Sequence, residues 1–222
     1  MYRYLEEELD QLRTQVIKMG SLVEEQVEFA MRSLFEGNLA LVKIIIERDE
    51  KVDKYDIMID KHCQKIFALT QPVAIDLRLI MSALKINNDL ERMGDIAVNI
   101  AERTEPLKDH LELLKRLEID AMSAKIKIMV KKTIDSFVNN DNALAFDVIK
   151  YDDLIDKYER KIFLQLIDVM KKDKTMIKPC SHAISLLRHL ERLADHSMNI
   201  AEEVIFLLES KIIKHRNRME ED

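Results

Sequence analysis

Two segments of the sequence carry the same acidic pattern one hundred residues apart. LERMGDIAVNIAER begins at Leu90, and LERLADHSMNIAEE begins at Leu190. At about 100° per residue, the acids and the asparagine of each segment fall on one narrow stripe of a helix, opposite the apolar residues. The two stripes consist of Glu91, Asp95, Asn99 and Glu102 in the first segment and Glu191, Asp195, Asn199 and Glu202 in the second. We expect both stripes to face away from the core of their own half.

Further acids fall on one face of the preceding helix in each half. Asp49, Asp53 and Asp56 share such a face, and Asp152, Asp156 and Glu159 match them in the second half. If the two helices of a half are antiparallel neighbours, their acidic stripes approach each other. Like charges at helical spacing repel by about 0.2–0.5 kcal/mol per exposed pair. Four related stripes therefore suggest that a cation neutralises them.

The stripes have two interpretations. One is a metal-ion site with oxygen ligands, which suit Mg²⁺, Ca²⁺, Mn²⁺ or oxidised iron, whereas zinc is possible through carboxylates but not indicated. The other is a solvated acidic face that holds no ion.

Three histidines, His182, His189 and His196, occur at seven-residue spacing and fall beside the apolar side of the last helix. We interpret them as partly buried packing residues, with a role as a switch or as ligands as the alternative.

Enzymatic motifs are missing from the sequence. A di-iron site in a helical bundle needs Glu-x-x-His pairs, and no histidine here has a glutamate three residues before it. The three glycines form no phosphate-binding loop, and no G-x-S-x-G motif occurs. We predict a protein that is not an enzyme. The alternative is a metal-dependent hydrolase or oxidase that uses ions on the acidic faces.

The elements that position the stripes are predicted to be long helices. The chain has 222 residues, of which 47% are hydrophobic, with only 3 Gly, 3 Pro and no Trp. Few turns and long regular segments favour an all-α fold. Breaks at proline, Gly37–Asn38 and NNDN from Asn139 divide the chain into six helices. Their predicted spans are about 5–36, 39–69, 73–104, 110–138, 142–172 and 178–214.

Short connections and internal repetition predict two similar bundles. Neighbouring helices with short links pack antiparallel. DEKVDKY from Asp49 corresponds to DDLIDKY from Asp152, in addition to the two LER segments. We therefore predict a tandem repeat of two antiparallel three-helix bundles, with a first domain at 1–105 and a second at 106–222. Pro179 is read as the counterpart of Pro72.

Charge and hydropathy restrict the cellular setting. A net charge of −6 argues against nucleic-acid binding. No apolar run approaches the ~20 residues of a membrane span, and no signal peptide is evident, so we predict a cytoplasmic protein. Cys63 and Cys180 are interpreted as incidental thiols. A basic C-terminal run (Lys211, Lys214, His215, Arg216 and Arg218) suits the end of a helix, with docking near an anionic membrane as the alternative.

One stretch has no equivalent in the second half. TQPVAIDLRLIM begins at Thr70, and its counterpart MIKPCSHAISLL lacks the Asp-Leu-Arg sequence. An acid such as Asp76 is favourable in the first turn of a helix, which explains it without a functional role. The two repeats therefore differ in at least one surface.

Three features together resemble the PhoU family of phosphate-transport regulatory proteins. They are RTQVIKMGSLVEEQV from Arg13, QPVAIDLRLIM from Gln71, and the pair LERMGD and LERLAD, which matches the family's duplicated E-x-x-x-D signature. The resemblance extends from about residue 5 to residue 210. Its individual motifs are short, but their order and the repeat make it specific. Gly94 of the first motif becomes Ala194 in the second, a change that affects how closely another backbone can approach.

The resemblance implies a function and a set of ligands. PhoU-like proteins are negative regulators of the phosphate-starvation response that connect the ATPase subunit of a phosphate ABC transporter to a sensor histidine kinase. They associate as homodimers or higher oligomers, and some carry metal ions such as iron, zinc, magnesium or manganese. Transferred to this sequence, the metal ligands are Glu91, Asp95, Glu191, Asp195, Asp49, Asp53, Asp152 and Asp156.

Overall fold

The structure, a computed structural model, describes residues 2–210. Its helices, in chain order, are α1 (Tyr2–Glu36), α2 (Leu39–Leu69), α3 (Ile75–Glu102), α4 (Thr104–Leu107), α5 (Leu111–Arg116), α6 (Ile119–Asn139), α7 (Asn142–Lys172) and α8 (Ile177–Glu209). Two 3₁₀ turns, Lys108–His110 and Lys174–Met176, lie in the links. No strand occurs between residues 2 and 210. The predicted all-α fold of two antiparallel three-helix bundles is confirmed.

The same turn chemistry separates the first two long helices of each half. Gly37 has a φ of 65°, and the Asn38 side chain accepts a hydrogen bond from the Ala40 amide at the start of α2. In the second half Asn140 has a φ of 52°, and Asp141 caps the start of α7. A left-handed residue followed by an N-cap ends one helix and begins the next within two residues. The α2 and α7 bounds predicted from sequence are therefore confirmed.

The core of the first half lies between α1, α2 and α3, and the core of the second between α6, α7 and α8. The α1 helix packs one face into the core because its apolar residues recur at three- and four-residue spacing. These residues are Leu12, Val16, Met19, Val23, Val27, Ala30 and Leu34. Within each half, the acidic faces of the second and third long helices remain at the surface of this core.

The two halves join mainly through α3 and α8. Lys85 Nζ donates to Glu203 Oε1 at 2.9 Å, and His196 Nδ1 lies 2.8 Å from Asp89 Oδ1. Because Lys85 is near the start of α3 and Glu203 is near the end of α8, the two helices run antiparallel. Since α3 and α8 are also the corresponding helices of the repeat, an approximate twofold axis relates the halves.

The predicted fourth long helix, 110–138, is divided in the structure. Leu117 and Ile119 are both buried, although in one continuous helix they would point about 200° apart. The chain breaks between them at Glu118, which has a φ of 61°. This left-handed conformation costs a residue with a side chain roughly 1–2 kcal/mol. Burial of both apolar residues offsets that cost, and α6 begins at Ile119 instead of residue 110.

The prolines before the third helix of each half are not equivalent. Pro72 lies in the link before α3, which begins at Ile75 after Ala74 with a φ of 48°. Pro179 lies inside the first turn of α8 and is buried. In the hundred-residue register of the acidic motifs, Pro179 corresponds to Leu79. The sequence-based pairing of Pro179 with Pro72 is therefore wrong.

Cys63 and Cys180 are both free and buried, as expected of incidental thiols. The basic run from Lys211 to Arg218, and the end predicted for the last helix near residue 214, lie outside the described residues. Within residues 2–210, no helix combines the length and the apolar character that crossing a bilayer requires.

Candidate metal centre

The helices α2 and α3 pack closely at Gly94, where the first acidic motif faces α2. A Cβ atom at this position would lie 3.0 Å from Asp49 Oδ1 and 3.2 Å from Val52 Cγ1. Real Cβ atoms rarely come this close to a neighbour, so a side chain here would require Asp49 and Val52 to shift by a few tenths of an ångström. Gly94 therefore permits the approach that brings the two acidic stripes of the first half together.

The first acidic cluster is built from both helices. It consists of Asp49, Asp53 and Asp56 on α2 and of Glu91 and Asp95 on α3. Burial raises the pKa of Glu91, and the negative charge of Asp95 raises it further, with smaller effects from the two α2 acids Asp56 and Asp53. Arg92 opposes this effect, and its Nε lies 3.3 Å from Glu91 Oε2. The predicted acids of the first half are therefore close enough to repel one another.

Asp49 occupies the most protected position of the first cluster. Burial raises its pKa, the hydrogen bond from Gln26 lowers it, and the charges of Asp53 and Asp95 raise it again. The Gln26 side chain is fully buried, and its Nε2 donates to Asp49 Oδ1 at 2.9 Å. The same Nε2 also lies 3.3 Å from the Gly94 carbonyl oxygen. A neutral amide from α1 thus supports a carboxylate of α2 and the backbone of α3.

The second acidic cluster repeats this arrangement with stronger repulsion. It consists of Asp152, Asp156 and Glu159 on α7 and of Glu191 and Asp195 on α8. Burial, followed by the charges of Asp195 and its other acidic neighbours, raises the pKa of Glu191 to about 7. Burial, followed by the charge of Asp156, raises the pKa of Asp152 to about 6. Glu191 and Asp195 also share a hydrogen bond. Such a cluster favours either a bound proton or a bound cation.

The asparagines of the repeated motif do not complete the two clusters in the same way. Asn99 Nδ2 donates to the Asp95 carbonyl oxygen of its own helix at 2.8 Å. Asn199 Nδ2 lies 3.4 Å from Asp89 Oδ1 in the other half. Glu202 contributes to the pKa rise of Asp152, whereas Glu102 is exposed. Asn99 and Asn199, like Glu102 and Glu202, therefore stay outside the predicted ligand set.

Two supporting residues of the first cluster were missed by the sequence analysis. Asn87 Nδ2 donates to Asp56 Oδ1 at 2.7 Å, and Gln26 holds Asp49. A signal for Gln26 was present, because it falls in the three- and four-residue series that otherwise contains Val23 and Ala30. A polar residue at a core position of an amphipathic helix usually has a buried partner.

The donor chemistry of both clusters fits a hard cation, since every candidate ligand atom is a carboxylate oxygen. In the described part of the chain, no three His, Cys, Asp or Glu side chains already converge as a ready ligand set. An ion would therefore be held only after these side chains change rotamer on their helices. The ligand set Glu91, Asp95, Asp49, Asp53, Glu191, Asp195, Asp152 and Asp156 remains a prediction.

The histidines of α8 are partly buried, as expected. His196 contacts Asp89 at the junction of the halves. Burial lowers the pKa of His189, and the nearby charge of Arg103 lowers it further.

A separate open groove of about 500 Å³ lies between α1 and α6, with Val27, Met31 and Ile128 among its lining residues. None of the lining residues belongs to either acidic cluster.

The duplicated helical architecture is shared with a known protein family. The PhoU domain model matches the chain twice, at residues 16–104 and 119–204. The chain therefore belongs to the PhoU family. This result confirms the family resemblance inferred from the sequence motifs.

Relatives with this assignment cover nearly the whole chain. The "Phosphate-specific transport system accessory protein PhoU homolog" of Aquifex aeolicus (strain VF5) is 39% identical over 210 residues, which are 95% of this chain and 95% of the relative. The protein of the same name from Pseudomonas aeruginosa is 35% identical over 218 residues, covering 97% of this chain and 90% of the relative.

Solved structures show the same fold. The crystal structure of PhoU from Pseudomonas aeruginosa matches with a TM-score of 0.85 and 33% identity, covering 93% of this chain and 99% of that one. The phosphate transport system regulatory protein PhoU from Streptococcus pneumoniae matches with a TM-score of 0.86 and 26% identity, covering 95% and 99%. These comparisons support a role in the regulation of phosphate transport.

Proposed function

We propose that this protein is a cytoplasmic adaptor that restrains the phosphate-starvation response. Its partners in this proposal are the ATPase subunit of the phosphate ABC transporter and a sensor histidine kinase, and it acts as a homodimer or higher oligomer. The observation that carries the proposal is the match of both halves to the PhoU domain, together with relatives named as accessory proteins of phosphate transport.

The proposed adaptor binds metal ions at its two acidic clusters. Mg²⁺, Mn²⁺, iron and Zn²⁺ are the candidate ions, and a bound cation would neutralise the carboxylates that now repel one another. Across α2 and α3, the charge of Asp95 acts on Asp49, and the charges of Asp53 and Asp56 act on Glu91. An ion bound between these carboxylates would hold the two helices in a fixed relation. The support for metal binding is the proximity of like-charged carboxylates within each cluster, which a bound cation would neutralise.

An adaptor accounts for the named roles of the relatives better than an enzyme does. The relatives and structural neighbours above are named as accessory or regulatory proteins. In the proposed mechanism, phosphate supply changes which partner is bound. Such a change needs a different affinity for the partner in each state, as any population shift does. Catalysis plays no part in this proposal.

The end of the first bundle offers a surface suited to a protein partner. Leu69, Val73 and Ile75 form what we call the apolar tip, with exposed fractions of 60%, 67% and 67%. Leu69 is the last residue of α2, and Val73 and Ile75 lie in the stretch from Thr70 that has no equivalent in the second half. Exposed apolar side chains on one end of a molecule are typical of protein-binding surfaces.

The first test of the proposal is metal content and partner binding in one variant. Glu91, Asp95, Glu191 and Asp195 would all be changed to Ala in untagged protein. We expect near-stoichiometric metal in the parent protein and its loss in the variant, measured by mass spectrometry of the metals. Binding to the ATPase subunit and the kinase would then be compared by calorimetry with and without the ion.

The control changes an equal number of exposed acids away from both clusters. Glu6, Asp10, Glu105 and Glu112 are suitable, since all four are exposed. Metal lost equally from this control would point to non-specific association with a negative surface. A parent protein without metal after incubation with Mg²⁺, Mn²⁺, Fe and Zn²⁺ would refute the metal-binding part of the proposal. Failure to bind either partner protein would refute the adaptor.

A further inference from the structure

The two acidic clusters differ in the residue that approaches them from the first helix of each half. Gln26 of α1 is fully buried and donates to Asp49 Oδ1 at 2.9 Å. Its amide also lies 3.3 Å from the Gly94 carbonyl and 3.5 Å from the Ile45 carbonyl. One side chain of α1 is therefore linked to both helices that carry the cluster.

The second half has a different residue at the position of Gln26. DEKVDKY and DDLIDKY align at an offset of 103 residues, and the helix caps Asn38 and Asp141 keep the same offset. Since no gap intervenes, Gln26 corresponds to Met129, which is also fully buried. A thioether has no hydrogen to donate, so it cannot support a carboxylate in this way.

A second difference lies on the third helix of each half. Gly94 corresponds to Ala194, which places a methyl group where the first half has none. At Gly94 such a methyl group would meet Asp49 Oδ1 at 3.0 Å and would come within 3.7 Å of Gln26 Oε1. The small residue and the buried amide therefore belong to one arrangement, in which α1, α2 and α3 meet at Asp49.

We propose that Gln26 is a positioning residue that orients Asp49 as a cation ligand of the first acidic cluster, a role that Met129 does not have in the second. The inference rests on the proposed metal binding and deepens it by making the two sites unequal. The hydrogen bond to Oδ1 restricts the rotation of the Asp49 carboxylate, so this group needs less ordering when it binds an ion. Partners of this kind commonly change metal affinity about 10–100-fold.

The test isolates one cluster at a time and uses Mn²⁺ alone as the probe. In a background with Glu191→Ala and Asp195→Ala, only the first cluster retains its α3 or α8 acids. Adding Gln26→Met should weaken Mn²⁺ binding by about 10–100-fold, measured by calorimetry. The electron paramagnetic resonance spectrum of bound Mn²⁺ should also change, because the orientation of a ligand changes.

The matched control uses the opposite background, with Glu91→Ala and Asp95→Ala. Here Gln26→Met should leave the Mn²⁺ affinity of the second cluster unchanged. Equal losses in both backgrounds would show a general loss of structure and would overturn the proposed role. An unchanged affinity in the first background would also overturn it.

A second variant keeps the proposal testable if Gln26→Met does not fold. Gln26→Asn retains a neutral amide but is one methylene group shorter, so it cannot reach Asp49 from the same backbone position. We expect the same weakening of the first cluster, with circular dichroism showing an intact fold. Unchanged affinity in Gln26→Asn would refute the role of the hydrogen bond. If neither background nor the parent protein binds Mn²⁺, the proposed metal binding fails, and this inference fails with it.

Discussion

At the scale of single residues, the carboxylates of the second acidic cluster lie close enough to raise the pKa of Glu191. Burial and four nearby carboxylates raise the pKa of Glu191 to about 7, from a normal value of 4.5. In the folded protein this group therefore holds its proton at a pH where the unfolded chain has released it. The free energy of unfolding of the metal-free protein should decrease as the pH rises from about 4.5 to about 7.

Glu191→Gln should reduce this pH dependence and leave the smaller part that comes from the raised pKa of Asp152. The amide keeps the size of the side chain and carries no charge, so repulsion from Asp195 and Asp152 disappears. After allowance for solvent screening, we expect a gain of about 1 kcal/mol in the unfolding free energy at pH 8. Urea unfolding of chelator-treated protein at pH 5 and pH 8 measures it.

The control for this prediction is Glu112→Gln. Glu112 is exposed and contacts only the exposed Lys115 among the described ion pairs. Its replacement should change stability little at either pH, as for most exposed ion pairs. A Glu191→Gln protein with the same pH dependence as the parent would show that the cluster does not hold the proton.

At the scale of the helices, periodicity and turn residues predicted most of the elements but not the break near Glu118. The bounds of α2 and α7 could be read from Asn38 and Asp141 because a cap leaves a local signature. The break could not, since both Leu117 and Ile119 continue an acceptable apolar pattern, and only tertiary packing decides that both are buried. The acidic faces were likewise predictable from spacing. The hydrogen bond from Gln26 to Asp49, which only the first cluster has, was not predictable because it depends on a contact between helices.

Glu118→Gly should stabilise the protein. Glu118 adopts a φ of 61°, which glycine adopts without a steric penalty. The exposed ion pair with Lys161 would be lost, but such pairs contribute little. We expect a net gain of roughly 0.5–1 kcal/mol in unfolding free energy, measured by thermal or urea unfolding.

Glu112→Gly is the matched control, since it places glycine inside the helical turn of α5. It should destabilise the protein by about 1 kcal/mol. If both glycine variants lose stability, the chain at Glu118 gains nothing from relief of the left-handed conformation. The break would then depend on contacts of the Glu118 side chain.

At the scale of the whole molecule, the repeat places similar acidic clusters in both halves but the apolar tip in only one. The stretch from Thr70 has no counterpart before α8, where Lys174–Met176 forms a 3₁₀ turn instead. A partner that contacts this end therefore distinguishes the first bundle from the second. The tip is the surface we expect to give the adaptor its orientation.

If the proposed adaptor uses the apolar tip to bind the transporter ATPase, Val73→Glu combined with Ile75→Glu should weaken that binding at least about tenfold. Burying two new charges against an apolar partner is costly, whereas both side chains are mainly solvent-exposed in the free protein. Stability should therefore be nearly unchanged. Calorimetry of the purified pair measures the affinity.

Two exposed apolar residues of the second half serve as controls for the tip. Leu164 and Ile177 are 62% and 50% exposed. Leu164→Glu and Ile177→Glu should leave ATPase binding unchanged. Equal weakening by both sets of changes would show that the partner does not distinguish the two bundles, and the tip would lose its assigned role.

The antiparallel packing of α3 and α8 also bears on how many partner subunits one chain can bind. With its approximate twofold axis, one chain presents two related faces, as a dimer of two identical subunits does. A partner that is itself a symmetric dimer could engage both faces of a single chain, in a closed assembly of one chain with two partner subunits. Unequal faces would instead favour one partner copy at a time, so the stoichiometry of the complex reports how far the two halves have diverged.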